Sequence, residues 1–114
     1  MVRSMVVIRE GPRKIFRVME ALRLSVAMLG LGEEPFVVFT DDGVKCLRRG
    51  AFDGPRISEF LQAFSDLAGL RALSDSLEEF GVGEDELNPD LDVELLNLDE
   101  LTDLVSQCKA VTTF

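Results

Sequence analysis

Phe36-Val37-Val38-Phe39-Thr40-Asp41-Asp42-Gly43-Val44-Lys45-Cys46-Leu47-Arg48-Arg49-Gly50 is the stretch on which the fold turns. Four bulky apolar residues follow one another with no polar alternation, then stop at two carboxylates and a glycine. A strand buried on both faces reads this way, and such strands belong to parallel sheets covered by helices. In those sheets ligands and chemistry gather just beyond the carboxyl ends of the strands. The turn at residues 41–46 therefore stands where function is expected, and Cys46 is the side chain whose reactivity matters most.

Outward from this stretch the chain alternates strand and helix without a linker or an internal repeat. Residues 2–8 read as a first strand, with Met5-Val6-Val7-Ile8 continuous. Gly11-Pro12 makes a turn, and Pro12 suits the first position of a helix. That helix is expected over residues 13–29, ended by Gly30 and Gly32. Ile15, Val18, Met19, Leu22, Val26 and Leu29 recur at helical spacing; Phe16, Leu24 and Ala27 widen the stripe beyond what one sheet face needs, which hints at subunit contact. The second strand is read at residues 36–40, a short helix at 43–49, and a helix begun by Asp53-Gly54-Pro55 that presents Ile57, Phe60, Leu61, Phe64 and Leu67. A third strand takes 70–73. Asp75 or Ser76 is expected to cap the next helix, with Glu78 or Glu79 completing a capping box. After an acidic loop, 93–96 is the fourth strand. Asn97 and Glu100 cap a last helix with Leu101, Leu104 and Val105 inward, and 110–114 is the fifth strand. Five strands with intervening helices imply a three-layer α/β/α sandwich, with a parallel sheet and right-handed crossovers, of flavodoxin-like architecture.

Composition bounds the chemistry. The 114 residues suit one domain, 1–114, with its own core. The longest apolar stretch, residues 21–31, is broken by Arg23 and Ser25 and is too short to span a bilayer. Residues 1–5 lead straight into a strand and lack the apolar core of a signal peptide, so a cytoplasmic chain without membrane attachment is expected. Histidine is absent, which excludes Ser-His-Asp and Cys-His catalysis and every His-ligated metal site. The two cysteines, 62 positions apart, form no CxxC and no metal cluster; neither a metal nor another cofactor is expected. Net charge is −9, divided between +3 in residues 1–57 and −12 in residues 58–114. Overall acidity argues against direct nucleic-acid binding. The asymmetry either lets oppositely charged surfaces of neighbouring subunits meet or simply keeps the chain soluble.

With this order in hand, Gly11-Pro12, Glu20-Ala21-Leu22, the Asp42-Gly43-Val44…Leu47…Gly50 pattern, Ser76-Leu77 with Gly81-Val82, and the terminal strand at 111–114 together resemble the DsrE/DsrF family of sulfur-relay proteins, most closely its DsrF/TusC branch. The resemblance spans nearly the whole chain. It implies a five-stranded parallel sheet assembled into homo-oligomers, or into hetero-oligomers with other DsrE/F/H-like subunits. It also implies persulfide transfer with a sulfur-carrier protein as a further partner, toward tRNA thiolation or within sulfur oxidation. The family's relay cysteine lies just after the third strand; here that region reads Ala72-Leu73-Ser74-Asp75-Ser76 and has no thiol. This departure suits a partner subunit that shapes a complex without carrying the persulfide.

Candidate site residues then separate into a thiol and a rim. On an α-helical wheel Cys46 falls on the flank of its turn, away from the inward side and among Lys45, Arg48 and Arg49. Such surroundings favour thiolate and would make Cys46 the catalytic residue of a homo-oligomeric sulfur-transfer or redox protein. Asp41 and Asp42 oppose this, and cysteine also serves as a small hydrophobe. Cys108 reads as packing at the other end of the sheet. Arg9, Glu10, Gly11, Arg13, Lys14, Thr40, Asp41, Asp42 and Gly43 converge at the ends of the first two strands, where a small anion or other ligand would be bound. Solvated loop charges are the plainer reading of the same residues. The run Glu84-Asp85-Glu86 lacks the ligand spacing of an EF-hand.

Overall fold

The computed structural model describes residues 3–52 and 55–114. Its strands are β1 (Arg3–Ile8), β2 (Phe36–Phe39), β3 (Leu70–Leu73), β4 (Val93–Leu96) and β5 (Cys108–Thr113). Helices α1 (Ile15–Gly30), α2 (Pro55–Ala68), α3 (Ser74–Glu79) and α4 (Leu98–Ser106) connect them, with 3-10 turns at Pro12–Lys14, Asp41–Leu47 and Glu84–Glu86. The helix start read at Asp53-Gly54 and the beginning of the first strand at Val2 lie outside the described residues. Pro12 opens the first 3-10 turn, one residue before the expected helix.

All strand pairs are parallel, in the order β4-β3-β2-β1-β5. The first three crossovers step in one direction, and right-handed connections therefore put α1, α2 and α3 on one face. The last crossover returns from β4 past β1, which sends α4 to the other face. Packing agrees with this division. Val6, Ile8, Val37, Phe39, Leu70 and Ala72 share one cluster with residues of α1, α2 and α3, including Val18, Leu22, Phe64 and Leu77. Met5, Phe36 and Val38 form a second cluster, against which Leu101 and Leu104 of α4 pack.

The two faces are unequal. β2 is buried along its whole length, as its unbroken apolar run requires. β5 is an edge strand, and only Cys108 in it is even partly buried. Three side chains read as inward prove otherwise: Leu67 at the end of α2 is 69% exposed, Val105 is 42% exposed, and Ile15 is 38% exposed. Phe16, read as surplus to the α1 stripe, is 82% exposed. On the α4 face, the Arg3 and Arg71 guanidiniums lie 3.8 and 4.7 Å from the Phe36 ring centroid.

Asn97 caps α4 as its chemistry demands: its side chain accepts from Glu100 N at 2.8 Å, while Glu100 accepts from Asn97 N at 3.0 Å. The expected box on α3 is absent. That helix begins at Ser74, with Leu73 at its N-cap and no side-chain cap. Its serines are engaged elsewhere: Ser74 Oγ donates to Leu96 O at 3.0 Å, and Ser76 Oγ accepts from Asp41 N at 2.9 Å.

Candidate functional site

Three strand-end loops meet at the carboxyl rim of the sheet, held by backbone contacts before any side chain is counted. Thr40 N donates to Ile8 O at 3.0 Å, carrying the β1–β2 pairing past the end of β2. Gly43 then passes so close to β1 that a Cβ there would run into the carbonyl oxygen of Ile8. Gly11 stands likewise against the Asp42 carboxylate. At Gly43 the obstacle is backbone, so only a residue without a side chain fits, whereas at Gly11 a side chain would have to displace the Asp42 carboxylate.

Between those glycines Asp41 sits at φ 53°, left-handed backbone that non-glycine residues rarely adopt and that costs about 1 kcal/mol or more. Its own contacts offset the strain. Asp41 Oδ2 accepts from Thr40 Oγ1 at 2.8 Å and from Arg9 Nε at 3.2 Å, and its N–H reaches Ser76 on α3. Arg9, Thr40, Asp41 and Ser76 thus bind the ends of β1, β2 and β3 into one unit. Arg9 N also donates to Phe114 O at 2.7 Å, which ties the chain end into the same rim.

Cys46 is not on the flank predicted for it. The segment after β2 is a 3-10 helix, Asp41–Leu47, rather than an α-helix over 43–49. In 3-10 geometry residues three apart eclipse one another. Cys46 therefore follows Gly43 toward the β1 loop, just as Leu47 follows Val44 into the core. The thiol is 1% exposed and Sγ donates to Glu10 O at 3.6 Å. Burial first, and then the Asp42 charge, push its pKa up to about 12; a backbone hydrogen bond and, less, the nearby Arg48 charge only partly offset them. Lys45 gives little help, because its Nζ pairs with Asp42 Oδ1 at 2.8 Å. The local geometry therefore opposes thiolate formation. Cys108 is free as well; its Sγ donates to Leu104 O at 3.2 Å, and burial raises its pKa. It stands opposite Arg3, at the amino end of the sheet, so the two thiols are kept apart.

Beside the rim lies a cleft of about 780 Å³. Arg13, Lys45, Arg48 and Arg49 line it, with Asp42 at one point and Asp85 and Glu86 at another. The backbone joins the last two groups of residues. Arg49 N donates to Glu86 O at 3.1 Å, Asn88 N donates to Leu47 O at 2.8 Å, and Arg48 and Leu87 form an antiparallel bridge. Among the sequence-predicted ligand residues, Arg13 and Asp42 line this cleft. Arg9 and Asp41 pair with each other, and Gly11 and Gly43 serve as close-approach points. In the sequence Arg48 and Arg49 stand out only as neighbours of Cys46, and Asp85 and Glu86 only as part of an acidic loop. No local pattern announces that a bridge brings them together.

A family model described as DsrE/DsrF-like matches residues 3–114. The chain belongs to the DsrE/DsrF-like family. The ychN protein from E. coli has a similar structure, with a TM-score of 0.80 and 21% identity over 100% of both chains. A protein of unknown function, MTH1491 from Methanobacterium thermoautotrophicum, aligns with a TM-score of 0.66 and 18% identity, again over 100% of both chains. At these identities the likeness establishes the fold. No curated protein matches the sequence. Within this DsrE/DsrF-like fold the loop after β3 is the serine-bearing start of α3, and its Ser76 is tied to Asp41. Among the described residues no helix is long and apolar enough to cross a membrane, and no group of three or more Cys, Asp and Glu side chains is arranged to hold a metal ion.

Proposed function

We propose that this DsrE/DsrF-like chain is a cytoplasmic subunit of a sulfur-relay complex, one that shapes the relay site without carrying the persulfide, as the DsrF/TusC branch would. Family membership supports the setting. The observation that carries the subunit role is the state of the two places where a relay thiol would be sought. The start of α3 holds Ser74 and Ser76, the latter buried and bound to Asp41 N, and Cys46 is enclosed beneath the rim. A persulfide-bearing thiol must be exposed and ionisable to accept and pass on sulfur. Cys46 serves packing in this reading, and the rim of Arg9, Asp41 and Asp42 meets the thiol-bearing partner subunit or sulfur carrier.

Incubation of the native protein at neutral pH with an inorganic persulfide donor, followed by intact mass measurement, tests the role. No sulfur adduct is expected on Cys46, while mixing with a thiol-bearing subunit of the same fold yields a stable hetero-oligomer by light scattering. A stoichiometric adduct that disappears in Cys46→Ser would replace this reading with that of a self-sufficient sulfurtransferase.

A further inference from the structure

We propose that the cleft beside the strand ends recognises a small zwitterionic ligand of the amino-acid or short-peptide class, bearing more than one carboxylate and an ammonium group. Lys45 and Asp42 neutralise each other across 2.8 Å and add little net field. Among the described residues, the guanidinium groups of Arg13, Arg48 and Arg49 enter no ion pair. Three guanidiniums lining one concavity offer planar, forked donors suited to carboxylates.

The acidic lining decides between ligand classes. Asp85 and Glu86 share the cleft with those guanidiniums, and the Arg49–Glu86 backbone bond holds the acidic turn alongside. A polyphosphate would set its own charge against two carboxylates. A zwitterion instead places its carboxylates on the arginines and its ammonium on the acidic turn. Glu86 Oε1 already accepts from Gly83 N at 2.8 Å, whereas Asp85 enters no ion pair among the described residues, so Asp85 is the freer acceptor for that ammonium. Size points the same way, since about 780 Å³ exceeds what one inorganic anion fills and lies within the range of about 300–1,000 Å³ usual for small-molecule sites. The bridge between Arg48 and Leu87 fixes the two segments before binding, which lowers the ordering cost. The proposal stands apart from the relay reading, because it requires neither a thiol nor a partner subunit.

Isotope-labelled full-length protein titrated with reduced glutathione tests it, with glutarate and inorganic phosphate as competitors of simpler charge. Glutathione carries two carboxylates and an ammonium; glutarate has the carboxylates alone. The expected result is a saturable response at Arg13, Lys45, Arg49 and Asp85, with the two simpler anions weaker by about tenfold. Arg49→Ala lowers glutathione affinity by about tenfold, the size of one lost charged hydrogen bond. Asp85→Asn brings glutathione down to the level of glutarate. Both side chains are exposed, so neither change threatens the fold. Equal or tighter binding of phosphate or glutarate, no saturable response to glutathione, or indifference to Arg49→Ala would each overturn the assignment.

Discussion

The carboxyl rim and the α4 side of this molecule are built to different tolerances. At the rim, Gly43 has no room for a methyl group, Gly11 abuts the Asp42 carboxylate, Asp41 holds left-handed backbone, and Ser76 of α3 is bound into the same network. On the α4 side, Leu101 and Leu104 are half-buried, Val105 is exposed, and β5 offers Val111 to solvent at 45%. Close fit is expensive to maintain, and here it is concentrated where strand ends converge. The looser side needs only enough burial to seat one short helix. A rim that is sterically defined presents fixed charges to a ligand or partner, whereas the β5 edge and α4 leave apolar surface for another molecule to cover.

The largest expected effect comes from forcing a side chain into the rim. Gly43→Ala meets the backbone of β1 rather than a flexible side chain, so the strand end itself must move. We expect a loss of about 3 kcal/mol or more, in the range reserved for overpacked buried sites. Gly30→Ala, with nothing within 4 Å of the added methyl, is the matched control and should be neutral or slightly stabilising. Urea denaturation of both variants measures the contrast. If Gly43→Ala unfolds at the same midpoint as the parent, the rim is looser than its geometry implies.

Cys46 yields the next effect, through pH. Its thiol is raised from 9.0 in the unfolded chain to about 12 in the fold, so the folded state holds its proton more tightly. The stability this contributes is complete below pH 9 and is lost as pH rises from 9 toward 12. Parent and Cys46→Ala should therefore converge in that window, after differing by a constant cavity cost at neutral pH. Alkylation follows the same logic: in native protein at pH 8 the thiol should react far more slowly than after unfolding in urea. Rapid native labelling of Cys46 would mean that the rim opens, and would revive the reactive-thiol reading.

The strand pattern was legible because it rests on local signals. β3 and β4 occupy the residues expected of them, bounded by Gly69 on one side and Asn97 on the other. The capping box at Asn97 and Glu100 forms because all its partners lie within one turn. Failure came where chemistry became non-local. Ser76 was read as a local cap, but a backbone N–H from β2's loop claims its oxygen. The flank position for Cys46 assumes 3.6 residues per turn in a segment that winds with three. The charged cleft was half legible: Arg13 and Asp42 flank recognisable turns, but Asp85 and Glu86 reach it through a bridge between distant segments.

The smallest effect addresses the α4 side. Leu104 packs on Met5, Phe36 and Val38 yet remains partly exposed, so truncation removes only a fraction of a buried leucine's area. Leu104→Ala should cost roughly 1 kcal/mol, well below the 2–5 kcal/mol of an enclosed leucine. Its dependence on protein concentration is the sharper measurement. A solitary chain would show the same loss at every concentration. If α4 is covered by another copy or another subunit, the variant's deficit must instead grow with protein concentration and shrink toward the single-chain value on dilution, because association adds stability to the parent by mass action. A concentration-independent cost near 1 kcal/mol would assign the weakness of this side to the chain itself, with no second copy or other subunit seated on α4.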